Sequence, residues 1–210
     1  MNEIKKDNTE EKILNAAKTI FIKKGMDGAR MQEIADEAGI NKALLHYYFR
    51  NKQKLFEAIF TNLFKQIIPN VITLVDSQKP INIKISDFIE SYMEVILNNP
   101  YLPAFVIKEI NRDPEFFGSI FSSFGIKPIL IFEMFEKEMD AGNLIRMNPK
   151  EVMVNILSLC LFPFAASPLI QLLTSNNNEQ EYRQLLEERK KTIKDFVLNA
   201  ILTEQIKTKI

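Results

Sequence analysis

Hydrophobic residues recur along this chain at spacings of three and four, which is the period of an amphipathic α-helix. The first apolar stripe runs from Ile13 to Phe21, and Gly25 is expected to end that helix. Asn8 or Thr9 is the expected N-terminal cap. No useful stretch alternates with the period of two that a half-buried strand requires. The pattern therefore predicts an all-α protein.

Pro, Gly and Asn residues divide the rest of the chain into further predicted helices. Their ranges are 31–38, 42–49, 52 to beyond 67, 84–98, 101–111, 114–123, 126–141, 149–172 and 178–206. Pro69 lies inside the fourth helical pattern, so a kink or break is expected there. The stretch from Asp76 to Pro80 is expected to be a loop.

The charge of the whole chain does not indicate a class of protein, but the charge of its N-terminal part differs from that of the rest. Lys+Arg and Asp+Glu are both 27 among the 210 residues, so the net charge gives no general reason to expect nucleic-acid binding. Residues 1–55, however, hold 11 basic and 8 acidic residues, a balance of 11 − 8 = +3, and the remainder carries 16 − 19 = −3. Only 6 glycines are present, which argues against a Gly-rich phosphate loop or a strand-rich fold.

The residue types present give little support for a catalytic site or a metal site. Cys160 is the only cysteine and His46 the only histidine, so neither an internal disulfide nor a usual zinc site can form. No credible pair of base and nucleophile is visible. We predict no enzyme activity, no catalytic residue, no metal and no cofactor. The polar, charged start of the chain predicts no signal peptide and therefore a cytoplasmic protein.

Residues 31–50 have the pattern of a helix-turn-helix, in which two short helices pack across a tight turn. Ala35 is small enough for close helix packing, and Gly39 tolerates the positive φ that the turn needs. Apolar residues occupy the expected core positions, namely Ile34, Ala38, Ile40, Leu45 and Tyr48. An ordinary helical hairpin is the alternative, and the flanking residues favour the DNA-binding motif.

With its flanks, this segment resembles the DNA-binding domain of the TetR family of bacterial transcriptional regulators. The matching residues are Ile13, Leu14, Ala16, Ala17, Phe21, Gly25, Met31, Ile34, Ala35, Ala38, Gly39, Ile40, Lys42, Leu45, Tyr48, Phe49, Lys52 and Leu55. The resemblance implies a three-helix DNA-binding domain over residues 1–52. It also implies a helical-bundle domain over residues 53–210 for ligand binding and dimerisation, and a homodimer on a palindromic DNA operator.

The same resemblance predicts which residues contact DNA. The recognition helix would present Asn41, Lys42, Ala43, Leu44, His46 and Tyr47, and Lys52 takes the place of a phosphate-contacting lysine. Arg30, Leu44 and His46 depart from the family, which commonly has Ser or Thr, a small or hydroxylated residue, and Tyr at these positions. Arg30 would add a cation beside the DNA backbone, and Leu44 would suit a thymine methyl group.

Phenylalanine and methionine are frequent from residue 84 onward, and such residues can line an adaptable apolar pocket. Each of them taken singly is more often core. The expected wall of a lipophilic effector site is Phe105, Phe117, Phe121, Phe135 and Met139. Glu109 or Arg112 would be its polar anchor, or else a surface charge.

Residues 152–178 contain no charged side chain, and 152–173 are long enough to span a bilayer. Polar residues and two prolines interrupt that run, so a subunit interface is the preferred interpretation and no membrane partner is predicted. By resemblance to the family, helices near 149–166 and 182–204 would form a dimer bundle. The residues expected toward the partner are Leu186, Ile193, Val197 and Ala200.

These observations predict a sequence-specific DNA-binding repressor that a small hydrophobic effector releases from its operator. The alternative is a protein of the same fold that acts through a protein partner without sequence-specific DNA binding.

Overall fold

The computed structural model describes the backbone of residues 2–125 and 127–208, and the side chains from residue 8 onward within those ranges. Over this part of the chain the secondary structure is helical, apart from an isolated bridge between Leu144 and Leu202. The helices are α1 (Asn2–Gly28), α2 (Met31–Glu37), α3 (Lys42–Tyr48), α4 (Lys52–Asp76), α5 (Ile81–Leu97), α6 (Leu102–Arg112), α7 (Pro114–Ser123), α8 (Pro128–Asp140), α9 (Pro149–Ala165), α10 (Ser167–Ser175), α11 (Glu179–Ile201) and α12 (Glu204–Lys207). The all-α prediction is confirmed.

The chain forms two compact units. Unit 1 contains Met1–Gln66 and Lys108–Pro114, and unit 2 contains Ile67–Ile107 and Glu115–Ile210. Three helices therefore contribute to both units, since α4 and α6 each cross a boundary and the first residue of α7, Pro114, belongs to unit 1. The predicted functional boundary, with a DNA-binding domain over residues 1–52 and a ligand-binding and dimerisation domain over residues 53–210, stays a prediction.

Unit 1 is organised around aromatic side chains from α1 and α4. Phe21 packs edge-on against Phe56, with ring centroids 5.4 Å apart, and Phe56 lies 4.6 Å from Phe60. Ile13 and Ala17 complete the same core with no exposed surface. The apolar stripe of the first helix is buried in the way its periodicity predicts.

Unit 2 has a larger core built from α5, α8, α9 and α11, to which the end of α4 contributes Leu74. Ile89, Met93, Phe135 and Phe164 are among its fully buried side chains. These helices place branched, aromatic and methionine side chains in one continuous cluster, which is the expected stabilising element of a helical bundle.

The first helix differs from its predicted bounds at both ends. It begins at Asn2, so the expected cap at Asn8 or Thr9 is wrong. Asn and Thr are tolerated inside helices at a modest cost, and their presence alone does not mark a first turn. Gly25 interrupts the helix with φ 72° and ψ 174°, but helical residues resume before Gly28.

Pro69 does not end the fourth helix, which continues to Asp76. A proline removes one hydrogen bond from the helix interior and costs about 3 kcal/mol or more. Burial of Ile68 and Leu74 on the same segment offsets that cost, because each isoleucine or leucine contributes about 1.5–3 kcal/mol when it leaves water.

Both long C-terminal helices are interrupted. The predicted helix 149–172 is split at Ala166, where the backbone leaves helical geometry (φ −106°, ψ 27°) and the axis bends by 80°. Pro168 cannot donate the hydrogen bond that would continue the first helix. The predicted helix 178–206 ends at Ile201, because Leu202 is extended and Ile145 N–H donates to the Ile201 carbonyl at 2.9 Å. The predicted start of α8 at residue 126 lies outside the described residues.

By length and composition alone, one helix of the described part, α4, is apolar enough to cross a membrane. Counting the bent pairs α7–α8 and α9–α10 as single spans would bring that number to three. In the first half of α4, Leu55, Phe56 and Phe60 are fully buried in unit 1, whereas Ile72 near the end of the helix is 47% exposed.

Candidate nucleic-acid interface

The turn between α2 and α3 is closed by two backbone hydrogen bonds around Gly39. Ile40 N–H donates to the Ala35 carbonyl at 3.0 Å, and Gly39 N–H donates to the Asp36 carbonyl at 3.1 Å. This is the Schellman pattern, which requires a left-handed residue just beyond the helix end, and Gly39 has φ 66°. The positive φ expected at Gly39 is confirmed.

Buried residues hold α3 in place behind this turn. Ile34 and Ala35 of α2 and Leu45 of α3 have no exposed surface, and Phe49 is also buried. The other expected core residues, Ala38, Ile40 and Tyr48, are only half-buried. One face of α3 is thus fixed to the protein, so the opposite face is presented to solvent.

That opposite face carries the residues predicted to contact DNA. Asn41, Lys42, Ala43, His46 and Tyr47 are all exposed, and Leu44 is half-buried. Tyr47 is 75% exposed, although burial of a tyrosine ring usually stabilises a folded protein. The face combines a cation, hydrogen-bonding groups and apolar contact surface, which are the means by which a helix contacts base edges and phosphates.

Two of these side chains also have local roles. Asn41 Oδ1 accepts a hydrogen bond from Leu44 N–H at 2.8 Å, so this residue caps α3. Its amide NH2 group remains available as a donor. His46 Nδ1 lies 3.1 Å from the Arg50 carbonyl oxygen and must donate a proton there. In a neutral ring the remaining nitrogen, Nε2, is then an acceptor.

Lys52 is tied to the end of α1. Its Nζ donates to the Asp27 carbonyl at 3.2 Å and to the Ala29 carbonyl at 3.0 Å. An ammonium group has three donors, so one remains for a phosphate. The structure thus gives Lys52 a helix-terminating role that the sequence pattern did not indicate.

Arg30 precedes α2 and is exposed. Its backbone N–H donates to Glu33 Oε2 at 3.3 Å, and the other oxygen of that carboxylate accepts from Lys24 Nζ at 2.7 Å. The hydrogen bond from Lys24 lowers the pKa of Glu33. These contacts fix the start of α2 and leave the Arg30 side chain on the surface.

Glu109 and Arg112 belong to unit 1, and their role there was missed by the sequence analysis. Glu109 is only 1% exposed; its Oε1 accepts from Met26 N–H at 3.3 Å and its Oε2 from Arg112 Nε at 2.6 Å. Arg112 also lies over the Phe56 ring at 5.6 Å. The prediction of a surface charge is wrong for Glu109.

The backbone conformation of Gly25 explains why the Glu109 carboxylate is needed beside α1. The left-handed backbone at Gly25 leaves Met26 N–H without its helical acceptor, and Glu109 replaces that acceptor. A Cβ on Gly25 would also lie 3.1 Å from Lys108 Nζ. The glycine was a visible signal of a break, but its partner is more than 80 residues away and no local pattern identifies it.

Most of the residues predicted for an effector site lie in the interior of unit 2. Phe105, Phe117, Phe135 and Met139 are buried in unit 2, whereas Phe121 is 38% exposed. None of these five lines the small cavity of unit 2, which lies among Asn70, Thr73, Leu74, Ser77, Lys84, Asp87, Phe88 and Ser91. Their role in binding an effector stays a prediction.

The apolar residues assigned to the dimer face need correction. Leu186, Ile193 and Val197 are buried in the core of their own unit, although Ala200 is exposed. The exposed hydrophobic residues of the two helices are instead Val154 and Phe162 on α9 and Phe196 on α11. Both sets have helical spacing, so periodicity alone could not distinguish an internal face from an external one.

No group of three His, Cys, Asp or Glu side chains suited to a metal ion occurs among the residues that the structure describes. Cys160 is buried beside Tyr92, and burial raises the pKa of its thiol to about 12. Such a thiol is a poor nucleophile because its thiolate is scarcely populated near neutral pH.

The helix-turn-helix region matches a known family. Residues 13–59 fit the model described as bacterial regulatory proteins, tetR family. Over 140 residues the chain is 26% identical to the probable HTH-type transcriptional regulator YttP of Bacillus subtilis, which covers 63% of this chain and 65% of the relative. Over 114 residues it is 30% identical to the biofilm operon regulator IcaR of Staphylococcus aureus, which is named as a negative transcriptional regulator. This alignment covers 53% of this chain and 59% of IcaR.

The fold extends this likeness over more of the chain. The TetR family transcriptional regulator PfmR of Thermus thermophilus superposes with a TM-score of 0.67 at 15% identity, covering 90% of this chain and 97% of PfmR. The fold and the site define a helix-turn-helix protein with a helical C-terminal domain. Its helix-turn-helix region, residues 13–59, is similar to the TetR family of bacterial regulatory proteins. The chain spans less than two thirds of the length of the curated relatives that it matches.

Proposed function

We propose that this protein is a sequence-specific DNA-binding transcriptional regulator that acts in the cytoplasm. The observation that supports this most strongly is the exposed face of α3, held by buried Leu45 behind the Gly39 turn. The helix-turn-helix exposes this type of face to the major groove of DNA. The names of the relatives point in the same direction.

In this proposal α3 enters the major groove. Lys42 pairs with phosphate or with guanine, the Asn41 amide donates to DNA, and Ala43 and Leu44 make apolar contacts. His46 Nε2, as an acceptor, suits the amino groups of cytosine or adenine, and Tyr47 contacts phosphate or the groove wall. Arg30 and the remaining donor of Lys52 contact the DNA backbone. Phosphate contacts would supply most of the affinity, which would fall as salt rises.

We further propose that the protein is a homodimer on a palindromic operator. The exposed side chains of Val154, Phe162 and Phe196 provide an apolar surface in unit 2 that a second copy would cover. Two recognition helices would then address half-sites separated by about 34–36 Å or a multiple of this distance.

The regulator is proposed to be a repressor released by a small lipophilic effector. Phe105, Phe117, Phe135 and Met139 provide an apolar interior for it, and Phe121 would lie at the edge. Methionine is unbranched and polarisable, so a region that contains Met134 and Met139 can repack around a ligand. No membrane is part of this proposal, because Leu55, Phe56 and Phe60 of α4 are fully buried within the protein.

Salt-dependent DNA binding tests the first part of the proposal. Lys42→Ala should lower the slope of log affinity against log salt by about one unit, since one phosphate contact is lost. Lys150→Ala is the matched control, because this exposed lysine lies on α9 in unit 2. Equal slopes for wild type and Lys42→Ala would show that Lys42 makes no phosphate contact, and a role for it at the interface would then require a contact with guanine.

The repressor and effector are tested separately. A reporter placed behind a bound DNA site should be silenced by the protein and restored by an effector; activation by the protein would contradict the repressor assignment. A series of lipophilic amphiphiles, measured by thermal unfolding, should contain a ligand that raises the Tm. Absence of any sequence-selective DNA footprint would instead favour the alternative, a protein of this fold that acts through a protein partner.

A further inference from the structure

A small polar cavity in unit 2 lies at the C-terminal end of α4 and the first turns of α5. Its volume is about 50 Å³ and it is partly open to solvent. One water needs roughly 10–15 Å³, so the cavity has room for several waters or for one small ion. Besides two apolar residues, its lining consists of Asn70, Thr73, Ser77, Lys84, Asp87 and Ser91.

Lys84 places a positive charge in this cavity with little compensation from the protein. The residue is only 9% exposed, and its Nζ makes one long hydrogen bond, to the Val75 carbonyl at 3.3 Å. Within the described part of the chain, no carboxylate lies close enough to form an ion pair with it. An ammonium group has three donors, and a buried charge is costly unless it is paired and hydrogen-bonded.

The other polar groups of the lining are hydroxyls, the Asn70 amide and the Asp87 carboxylate, so they include acceptors as well as donors. The Ser77 hydroxyl is buried and has no hydrogen-bond partner. Asp87, the acid in the lining, is engaged by Lys79, whose Nζ lies 2.6 Å from its Oδ2. The Ser91 hydroxyl already donates to the Asp87 carbonyl at 2.6 Å. The cavity therefore has unused donors and an unpaired positive charge.

We propose that this cavity is a binding site for a small carboxylate anion of the size of formate or acetate. Lys84 supplies the charge, and the Ser77 hydroxyl supplies a directed hydrogen bond to the carboxylate oxygens. A monoanion fits better than a dianion because Asp87 also faces the cavity. The site is separate from the proposed lipophilic site, since none of the five residues named there lines it.

The test is thermal unfolding of the full chain in sodium acetate against sodium chloride at equal ionic strength. At a tenfold excess of acetate over its dissociation constant, the Tm should rise by about 3–6 °C relative to chloride. Lys84→Met, which keeps the length of the side chain and removes the charge, should abolish this difference. Lys137→Met, on an exposed lysine of α8, should retain it.

Ser77→Ala provides a second variant in case Lys84→Met does not fold. Removing an unpartnered hydroxyl should leave the fold intact but lower the acetate affinity several-fold. Acetate shifts of equal size in wild type and Ser77→Ala, or in wild type and Lys84→Met, would overturn the proposal, because acetate would then act only as a general cosolute. Inorganic phosphate serves as the competing probe. A Lys84-dependent shift with phosphate and none with acetate would overturn the carboxylate assignment.

Discussion

Units 1 and 2 use their exposed helix surfaces in opposite ways. In unit 1 the apolar residues of α3 face inward and its outer face is polar or amphipathic, as at Lys42 and His46. In unit 2 the helices α9 and α11 have apolar residues inside and outside, with Phe164 buried and Phe162 56% exposed on the same helix. The polar outer face suits an aqueous, charged partner such as DNA, and the apolar one suits another protein surface.

The largest expected effect separates the two phenylalanines of α9. Phe164→Ala should lower the free energy of unfolding by about 3–5 kcal/mol, because it leaves a cavity in the core of unit 2. Phe162→Ala should change it by less than about 0.5 kcal/mol in the monomeric state but weaken self-association. Urea unfolding and sedimentation velocity measure the two effects. A loss of stability equal in both variants, with association unchanged, would show that Phe162 does not mark a partner face.

Unit 1 offers a matched pair of ion pairs with the same spacing and different burial. Glu109→Gln should destabilise the protein by about 1–3 kcal/mol, because Arg112 Nε then loses a buried charged acceptor. Glu57→Gln removes the partner of Lys54 in an exposed pair and should cost less than about 0.5 kcal/mol. Chemical denaturation distinguishes them. Equal costs would mean that Glu109 does not support the broken end of α1.

A smaller stability effect with a functional consequence is expected on the outer face of α3. His46→Ala removes an exposed side chain and should change folding stability by less than about 0.5 kcal/mol. If Nε2 accepts from a base, the substitution should relax sequence preference by about 1–3 kcal/mol at one operator position. Competition binding with single-base operator variants measures this. Unchanged preference would leave His46 as a phosphate or capping residue.

Lys52→Ala should affect both the folding stability and the DNA binding of the protein. The side chain supports the end of α1 through two carbonyls, so a modest loss of stability is expected together with a salt slope lower by about one unit. Lys54→Ala serves as the control for an exposed neighbouring lysine. A loss of stability without a change in slope would assign Lys52 to folding alone.

The smallest effect is expected at Cys160. Burial raises the pKa of its thiol to about 12, so the native protein should not react with a disulfide reagent at pH 8. Because the unfolded chain ionises this group at lower pH, the stability it contributes should be present below about pH 9 and lost as pH rises toward 12. Labelling followed by absorbance reports the thiol. Rapid native labelling at pH 8 would show that unit 2 opens readily at α9.

Local signals were sufficient for most of the helix-turn-helix. The bounds of α2 and α3 agree with the predicted ranges to within one residue, since Gly39, Asn41 and the buried stripe act within a few positions. The breaks at Ala166 and Leu202 were not visible in periodicity, because they depend on Pro168 and on pairing with the Leu144 strand-like segment. The burial of Glu109 depends on Met26, far away in sequence.

The apolar faces of unit 2 illustrate a more general limit. Ile193 and Phe196 lie three positions apart on α11, and both are strongly hydrophobic, yet one is buried and the other is 63% exposed. When a helix is apolar on more than one side, its sequence does not distinguish the internal core from a partner surface. The residues predicted for the effector site have the same ambiguity, since Phe121 is 38% exposed and the other four are buried.

Selection of bound sequences from a random duplex library, with the purified full chain at physiological salt, tests whether the face of α3 recognises specific DNA sequences. We expect enrichment of a two-fold-related motif, and loss of base preference at one position in each half-site for the His46→Ala variant. Recovery of no motif above background, from protein shown to be folded and dimeric, would contradict a sequence-specific role for the face of α3.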